Sequence, residues 1–119
     1  MLNYYLSELV SCIKVGYNLK KLFVYVKFNL KLLRILNLLY KDGFIRGFFI
    51  LKRNNVKYIK IYLKYDFNNK SVINIFRLVS KPSCRKYYTY KKLCELKKYM
   101  QILLYQQIKV CLIWVNVYF

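Results

Sequence analysis

The stretch RGFFILKRNNVKYIKIYLKY, residues 46–65, sets two β-patterned runs on either side of an asparagine pair. Asparagine tolerates positive φ, so Asn54 and Asn55 can form a tight turn, and the two runs read as an antiparallel hairpin. In the second run Ile59, Ile61, Leu63 and Tyr65 fall on one face, with Tyr58, Lys60, Tyr62 and Lys64 on the other. Successive strand side chains point to opposite faces, so this alternation predicts a half-buried strand with its aliphatic face against a core.

Upstream of the hairpin, NLKLLRILNLLYKDG, residues 29–43, reads as a helix. Asn29 is a candidate cap, and Gly43 is the left-handed residue that ends it. Leu32, Leu36 and Leu39 face the core, with Leu33 and Ile35 widening the apolar stripe. Before it, KKLFVYVKF, residues 20–28, reads as a short strand. YYLSELVSCIKVG, residues 4–16, reads as a first amphipathic helix, with Leu6, Leu9, Val10 and Ile13 inward and Gly16 as its stop.

Downstream, DFNNK at residues 66–70 breaks the pattern and is the candidate boundary between lobes 1–67 and 68–119. SVINIFRLVS, residues 71–80, reads as a strand, and YKKLCELKKYM, residues 90–100, as a short helix. ILLY and CLIWVNVYF read as closing strands. The last run is apolar on both faces, which suits an interior strand or one covered by a partner. The expected fold is α+β with two small lobes. The amino-terminal lobe is α/β, two helices packed on a short sheet. The carboxy-terminal lobe is mainly β with one short helix.

Charge narrows the class of partner. The chain of 119 residues carries 23 Lys and Arg against 4 acids, a formal net charge of +19. Such self-repulsion opposes a compact free state, and a polyanion relieves it. Nucleic acid is the first expectation and an anionic membrane surface the second. The longest uncharged runs, residues 99–108 and 110–119, are ten residues each, about half of what a spanning helix needs. A membrane span is therefore not expected, and the first twenty residues show no separate apolar run or cleavage site of a signal peptide. Alanine and histidine are absent, while Lys, Asn, Ile, Tyr and Phe fill about half the chain. All five use A/T-rich codons, which suggests an organelle-encoded gene.

Catalysis finds little support. Glu8, Asp42, Asp66 and Glu95 are scattered in sequence, and no histidine is present to serve as a base at neutral pH. No nucleophile motif or glycine-rich phosphate loop occurs. Cys12, Cys84, Cys94 and Cys111 lack close zinc-ligand spacing and read as small packing residues. Neither an enzyme nor a metal or other cofactor is expected.

RLVSKPSCRKYYTY, residues 77–90, fits polynucleotide contact better. Pro82 fixes its own φ and biases Lys81 toward an extended backbone. Lys81 and Arg85 then present charge from a stiffened turn, and Arg binds phosphate in bidentate fashion. Ser80 and Ser83 can donate to phosphate or ribose oxygens. Tyr87, Tyr88 and Tyr90 can stack on bases. The plainer reading is a solvated basic turn beside ordinary strand tyrosines. Lys20 and Lys21, after the first helix, can also meet phosphates, whereas Lys57, Lys60 and Lys64 decorate the hairpin.

LVSKPSCRKY is similar to the Arg-Val-Ser-Arg/Lys-Pro-Gly-x-Arg-x-Tyr motif of small-subunit ribosomal protein eight, of bacterial and organellar type. ELVSCIKVG resembles that family's first helix, LLYKDGFIRGF its Leu-Lys-Glu-Glu-Gly-Phe-Ile segment, and IKIYLKY its following strand. The blocks keep the family's order and approximate spacing over nearly the whole chain.

The resemblance implies a two-lobed α/β protein that binds small-subunit ribosomal RNA directly and helps fold and hold its central domain. Ser80, Lys81, Pro82, Arg85 and Tyr87 stand at matching motif positions. Ser83 replaces the usual glycine. Cys12 replaces a common arginine, and Lys14 keeps a cation two residues later. The family's Ser-Thr-Ser-Lys-Gly loop is altered to YQQIKV. Gln106 and Gln107 take its first two polar sites, Ile108 stands for a serine, and Lys109 takes the lysine position. The short helix and Gly-Gly-Glu turn that usually follow are absent.

The expected setting is a mitochondrial small ribosomal subunit, with a plastid as the alternative. Neighbouring small-subunit proteins would cover part of the apolar surplus. The rival class is a peripheral basic protein on an anionic membrane surface.

Overall fold

The structure is a computed structural model that describes residues 2–73, 75–78, 83, 84, 87, 89–92, 95, 101–104 and 113–116. The chain forms two compact units, Met1–Val72 and Ile73–Phe119. Its architecture is α+β.

The first unit runs α1 (Leu2–Asn18), β1 (Phe23–Lys27), α2 (Leu30–Lys41), β2 (Ile45–Arg53) and β3 (Val56–Leu63). The strands form one antiparallel sheet in the order β1-β3-β2. Hairpin strand β3 is central, so its inward aliphatic residues meet both neighbours. Val24 pairs with Ile61, Val26 with Ile59, and Ile45 with Leu63. All of these are buried, as are Leu6, Leu9, Val10 and Ile13 of α1 and Leu32, Ile35, Leu36 and Leu39 of α2. Both helices therefore cover one face of the sheet, as the periodicity predicts.

Local chemistry explains the element ends. Asn54 (φ 48°) and Asn55 (φ 60°) are both left-handed, as a two-residue type I′ hairpin loop demands, and Arg53 pairs directly with Val56 across them. The register slips between Ile45 and Gly47, where Arg46 is the extra residue of a bulge. Asn29 caps α2 with its Oδ1 accepting from the Lys31 N–H at 2.9 Å. At the other end Gly43 (φ 80°) is the left-handed residue. There the Gly43 N–H donates to the Tyr40 carbonyl (3.1 Å) and the Phe44 N–H to the Leu39 carbonyl (2.9 Å). That bond pair is a Schellman motif, and Phe44 and Leu39, the positions where such a motif commonly places apolar residues, are both buried.

Gly16 departs from expectation. It does not stop α1, which continues to Asn18. A Cβ there would lie 2.6 Å from Val24 Cγ1 and 2.8 Å from Leu63 Cδ1, so this position is a close helix-to-sheet contact. The chain leaves the helix in a second Schellman motif. The Lys20 N–H donates to the Tyr17 carbonyl (3.1 Å) and the Lys21 N–H to the Gly16 carbonyl (2.9 Å). The left-handed residue is Lys20, at φ 51°. Sequence punctuation points to glycine for that role, and here a lysine holds it.

After β3, DFNNK is a closed turn. The Asp66 N–H donates to the Lys70 carbonyl (2.8 Å), the Asn69 N–H to the Asp66 carbonyl (2.9 Å), and Tyr65 bridges to Ser71. The second unit contains β4 (Ile75–Leu78), β5 (Gln101–Leu104) and β6 (Ile113–Asn116) in an antiparallel sheet of order β4-β6-β5. The closing apolar run thus supplies the interior strand. Tyr90, Lys91, Lys92 and Glu95 are helical, within the stretch read as a short helix. Ile73 and Phe76 are buried. Among the described residues no helix is long and apolar enough to cross a membrane.

Candidate nucleic-acid interface

The cations read from the amino-terminal half sit on fixed backbone. Lys14 is exposed on α1, and Lys20 and Lys21 are exposed at its carboxy end. Positive charge beyond a helix carboxy terminus is favoured by the helix dipole. The segment is pinned at several points. Besides the two Schellman bonds, the Tyr65 hydroxyl donates to the Lys21 carbonyl, with the Gly16 carbonyl 3.4 Å away. The Leu63 N–H donates to the Leu22 carbonyl at 2.9 Å. The two ammonium groups therefore project from a turn whose ordering entropy folding has already met.

Three hairpin lysines have internal work. Lys64 Nζ donates to the Gly43 carbonyl at 3.0 Å and so helps close the end of α2. Lys57 Nζ lies 5.5 Å from the Phe28 ring centroid. Lys60 Nζ lies 4.0 Å from Phe23 and 5.0 Å from Tyr62, in cation–π range of both.

Lys60 also marks the middle of the sheet's outer face. Across the strands Tyr25 and Phe49 both pair with Lys60, while Phe23 and Gly47 pair with Tyr62. At the hairpin end Lys27 and Leu51 pair with Tyr58. Tyr25 is 52% and Phe49 63% exposed. Neighbouring ring centroids are 5.5 Å (Tyr25 to Phe23), 6.3 Å (Phe23 to Tyr62) and 6.0 Å (Tyr62 to Phe49), all edge-to-face. Tyr58, Lys60 and Tyr62 are legible as an outer row within one strand. Their grouping with Phe23, Tyr25 and Phe49 depends on register, which periodicity in a single run does not give.

In the second unit the structure describes part of the serine-proline motif. Ser83, Cys84 and Tyr87 are exposed, Tyr87 to 77%. Arg77, on β4, is exposed as well. Ser80, Lys81, Pro82 and Arg85, and the loop residues Gln106, Gln107 and Lys109, lie outside the described residues.

The acids occupy separate elements: Glu8 in α1, Asp42 at the end of α2, Asp66 in the turn after β3, and Glu95 in the helical stretch of the second unit. Asp66 Oδ1 accepts from the Phe67 N–H at 2.8 Å, a local turn bond. Cys12 is half-buried, and burial, aided by the nearby Glu8 charge, pushes its thiol up. It therefore stays protonated and packs as a small apolar residue. Among the described residues no group of three or more His, Cys, Asp or Glu side chains gathers to hold a metal.

The sequence profile of the family described as Ribosomal protein S8 matches residues 5–106. "Small ribosomal subunit protein uS8m" of Acanthamoeba castellanii is 42% identical over 88 residues, covering 74% of this chain and 66% of that protein. "Small ribosomal subunit protein uS8" of Buchnera aphidicola subsp. Cinara cedri is 40% identical over 82 residues, covering 69% and 62%. The stretches matched to these two relatives span less than two thirds of each relative's own length. The profile match takes in nearly all of α1, the whole of α2, both strands of the hairpin and the serine-proline motif. The chain belongs to the ribosomal protein S8 family.

Proposed function

We propose that this chain is a structural constituent of an organellar small ribosomal subunit. It binds small-subunit ribosomal RNA directly and helps fold and hold the central domain during assembly and translation. The observation that carries this reading is the family match across residues 5–106. The surplus of 23 cations over 4 acids agrees with it. Its action is electrostatic and geometric rather than catalytic. Cations offset crowded phosphates, and a stiff α/β body fixes where they stand.

The RNA contacts of this reading are Lys14, Lys20 and Lys21 in the first unit and Ser80, Lys81, Pro82, Arg85 and Tyr87 in the motif. Gln106, Gln107 and Lys109 are assigned to the altered carboxy-terminal loop. Neighbouring small-subunit proteins are the second class of partner, and exposed apolar residues such as Leu19 and Leu22 support that. The organelle is assigned as the mitochondrion. Likeness to a uS8m and the A/T-biased composition support this.

Sucrose-gradient fractionation of mitochondrial lysate tests the assignment. The chain should sediment with the small-subunit peak. Its absence from an otherwise intact particle would overturn the reading, and co-sedimentation with plastid ribosomes would move it to that organelle. Within the motif, Arg85→Ala combined with Lys81→Ala should weaken binding to a central-domain transcript. Unchanged affinity at moderate salt would displace the contact from that turn.

A further inference from the structure

We infer that the outer face of the β1-β3-β2 sheet is a stacking platform for unpaired nucleotides, separate from the basic turn after α1 and from the serine-proline motif. Four rings, Tyr25, Phe23, Tyr62 and Phe49, follow one another across all three strands in steps of 5.5, 6.3 and 6.0 Å. Each step is within the reach of one unstacked nucleotide. The rings at the two margins, Tyr25 and Phe49, are the most open of the four, at 52% and 63% exposure. A codon bias toward Tyr and Phe explains how many rings the chain has. It does not explain their gathering on one face of one sheet.

Charge selects the occupant. Lys60 Nζ stands within the ring cluster, 4.0 Å from Phe23, 5.0 Å from Tyr62 and 6.0 Å from Tyr25. Lys27 and Arg53 are exposed toward the hairpin end of the same face. No carboxylate occupies any position of the three strands. Rings interleaved with cations complement a chain that alternates flat bases with phosphates. A paired helix hides its base faces, so the occupant is single-stranded. A protein strand would pair with a sheet edge and a protein helix would seat in a groove. This surface is the face of a sheet and offers neither. The proposal rests on the ribosomal RNA reading only for the identity of the polynucleotide. Stacking itself is tolerant of sequence.

The full chain is to be titrated against a short labelled oligouridylate and, separately, against a structured central-domain transcript. The wild type should bind the oligouridylate in dilute salt. Tyr25→Ser combined with Phe49→Ser should weaken that binding roughly tenfold or more, with far-ultraviolet dichroism unchanged and transcript affinity within about twofold. Phe49→Trp should keep the affinity, and the emission of the introduced indole, read above the Trp114 background, should be quenched by the oligonucleotide. Three results would overturn the platform: equal oligouridylate affinity in wild type and double variant, no quenching of the introduced indole on binding, or ring-dependent binding of an acidic tyrosine-containing peptide with no binding of the oligouridylate. Ring-dependent oligouridylate binding without transcript binding would uphold the platform while removing the ribosomal reading.

Discussion

At Gly16 and Lys20, a few residues apart, backbone demands and side-chain space run in opposite directions. Gly16 is helical and buried, and a Cβ added there would stand only 2.6 Å from the Val24 Cγ1 methyl. Valine is stiff at χ1, so it cannot swing aside cheaply. Gly16→Ala should therefore destabilise the chain by about 1–3 kcal/mol, despite alanine's better helix propensity. Urea unfolding measures this, and a stabilised variant would contradict the close packing. Lys20 carries a left-handed φ of 51°, a conformation that costs most residues about 1–2 kcal/mol and glycine almost nothing. Lys20→Gly should then raise the stability of the free chain by up to about 1 kcal/mol. It should also weaken RNA binding and reduce the salt slope by about one unit. A gain in both would remove Lys20 from the proposed RNA contacts.

Tyr17 presents a different conflict. Its ring is 8% exposed, packed edge-to-face on Tyr65 at 5.5 Å, and its hydroxyl has no hydrogen-bond partner. Burial pushes the hydroxyl up from 10.0 to about 12. The Lys64 backbone amide opposes the shift, without meeting hydrogen-bond geometry, and the Tyr65 charge adds to it. Between pH 10 and about 12 the unfolded chain releases the phenolic proton while the folded chain keeps it. The folded state binds more protons there, so this contribution is full below pH 10 and falls as pH rises, by about 1.4 kcal/mol per unit. Tyr17→Phe removes both the unpaired hydroxyl and this slope. It should stabilise the chain by about 1 kcal/mol at neutral pH, with a margin that widens above pH 10. Chemical denaturation at neutral and alkaline pH reads the difference, and a constant margin would show that Tyr17 titrates normally.

Among the elements, the hairpin is the most completely specified by its own residues. The central loop positions take φ 48° and 60°, which Asn accepts and a β-branched residue does not. Asn55→Val should cost about 1–2 kcal/mol, whereas Asn55→Gly should stay within about 0.5 kcal/mol of wild type. Equal losses in thermal denaturation would argue against a type I′ loop. Helix α2 is nearly as legible, because Asn29 and Gly43 mark its ends and Leu32, Leu36 and Leu39 mark its face. Helix α1 is legible in its face and not in its end. A glycine tolerated for close packing looks in sequence like a glycine chosen for positive φ, and only the neighbouring Val24 and Leu63 tell them apart.

For the whole molecule, the decisive quantity is the net charge of +19. Repulsion among these cations opposes folding, while under the proposed function the same cations draw in RNA. Salt should therefore act in opposite directions on the two equilibria. Raising it should increase the thermal midpoint of the free chain and steeply lower affinity for the transcript. Thermal scans and binding titrations in matched buffers check this. A midpoint that falls alongside the affinity would mean that self-repulsion does not limit the free fold.

The sequence alone determined the α+β class, the succession of elements in the first unit, the buried faces of α1 and α2, the hairpin turn and the large excess of positive charge. These follow from periodicity, turn chemistry and charge, which act among residues close along the chain. The tertiary structure alone decided that β3 lies between β1 and β2, that Gly16 is a contact, that Lys64 closes a helix, and that rings from three strands share one face. Each depends on the register between segments distant in sequence, and that register is set by how the aliphatic faces of all five elements bury against one another at once.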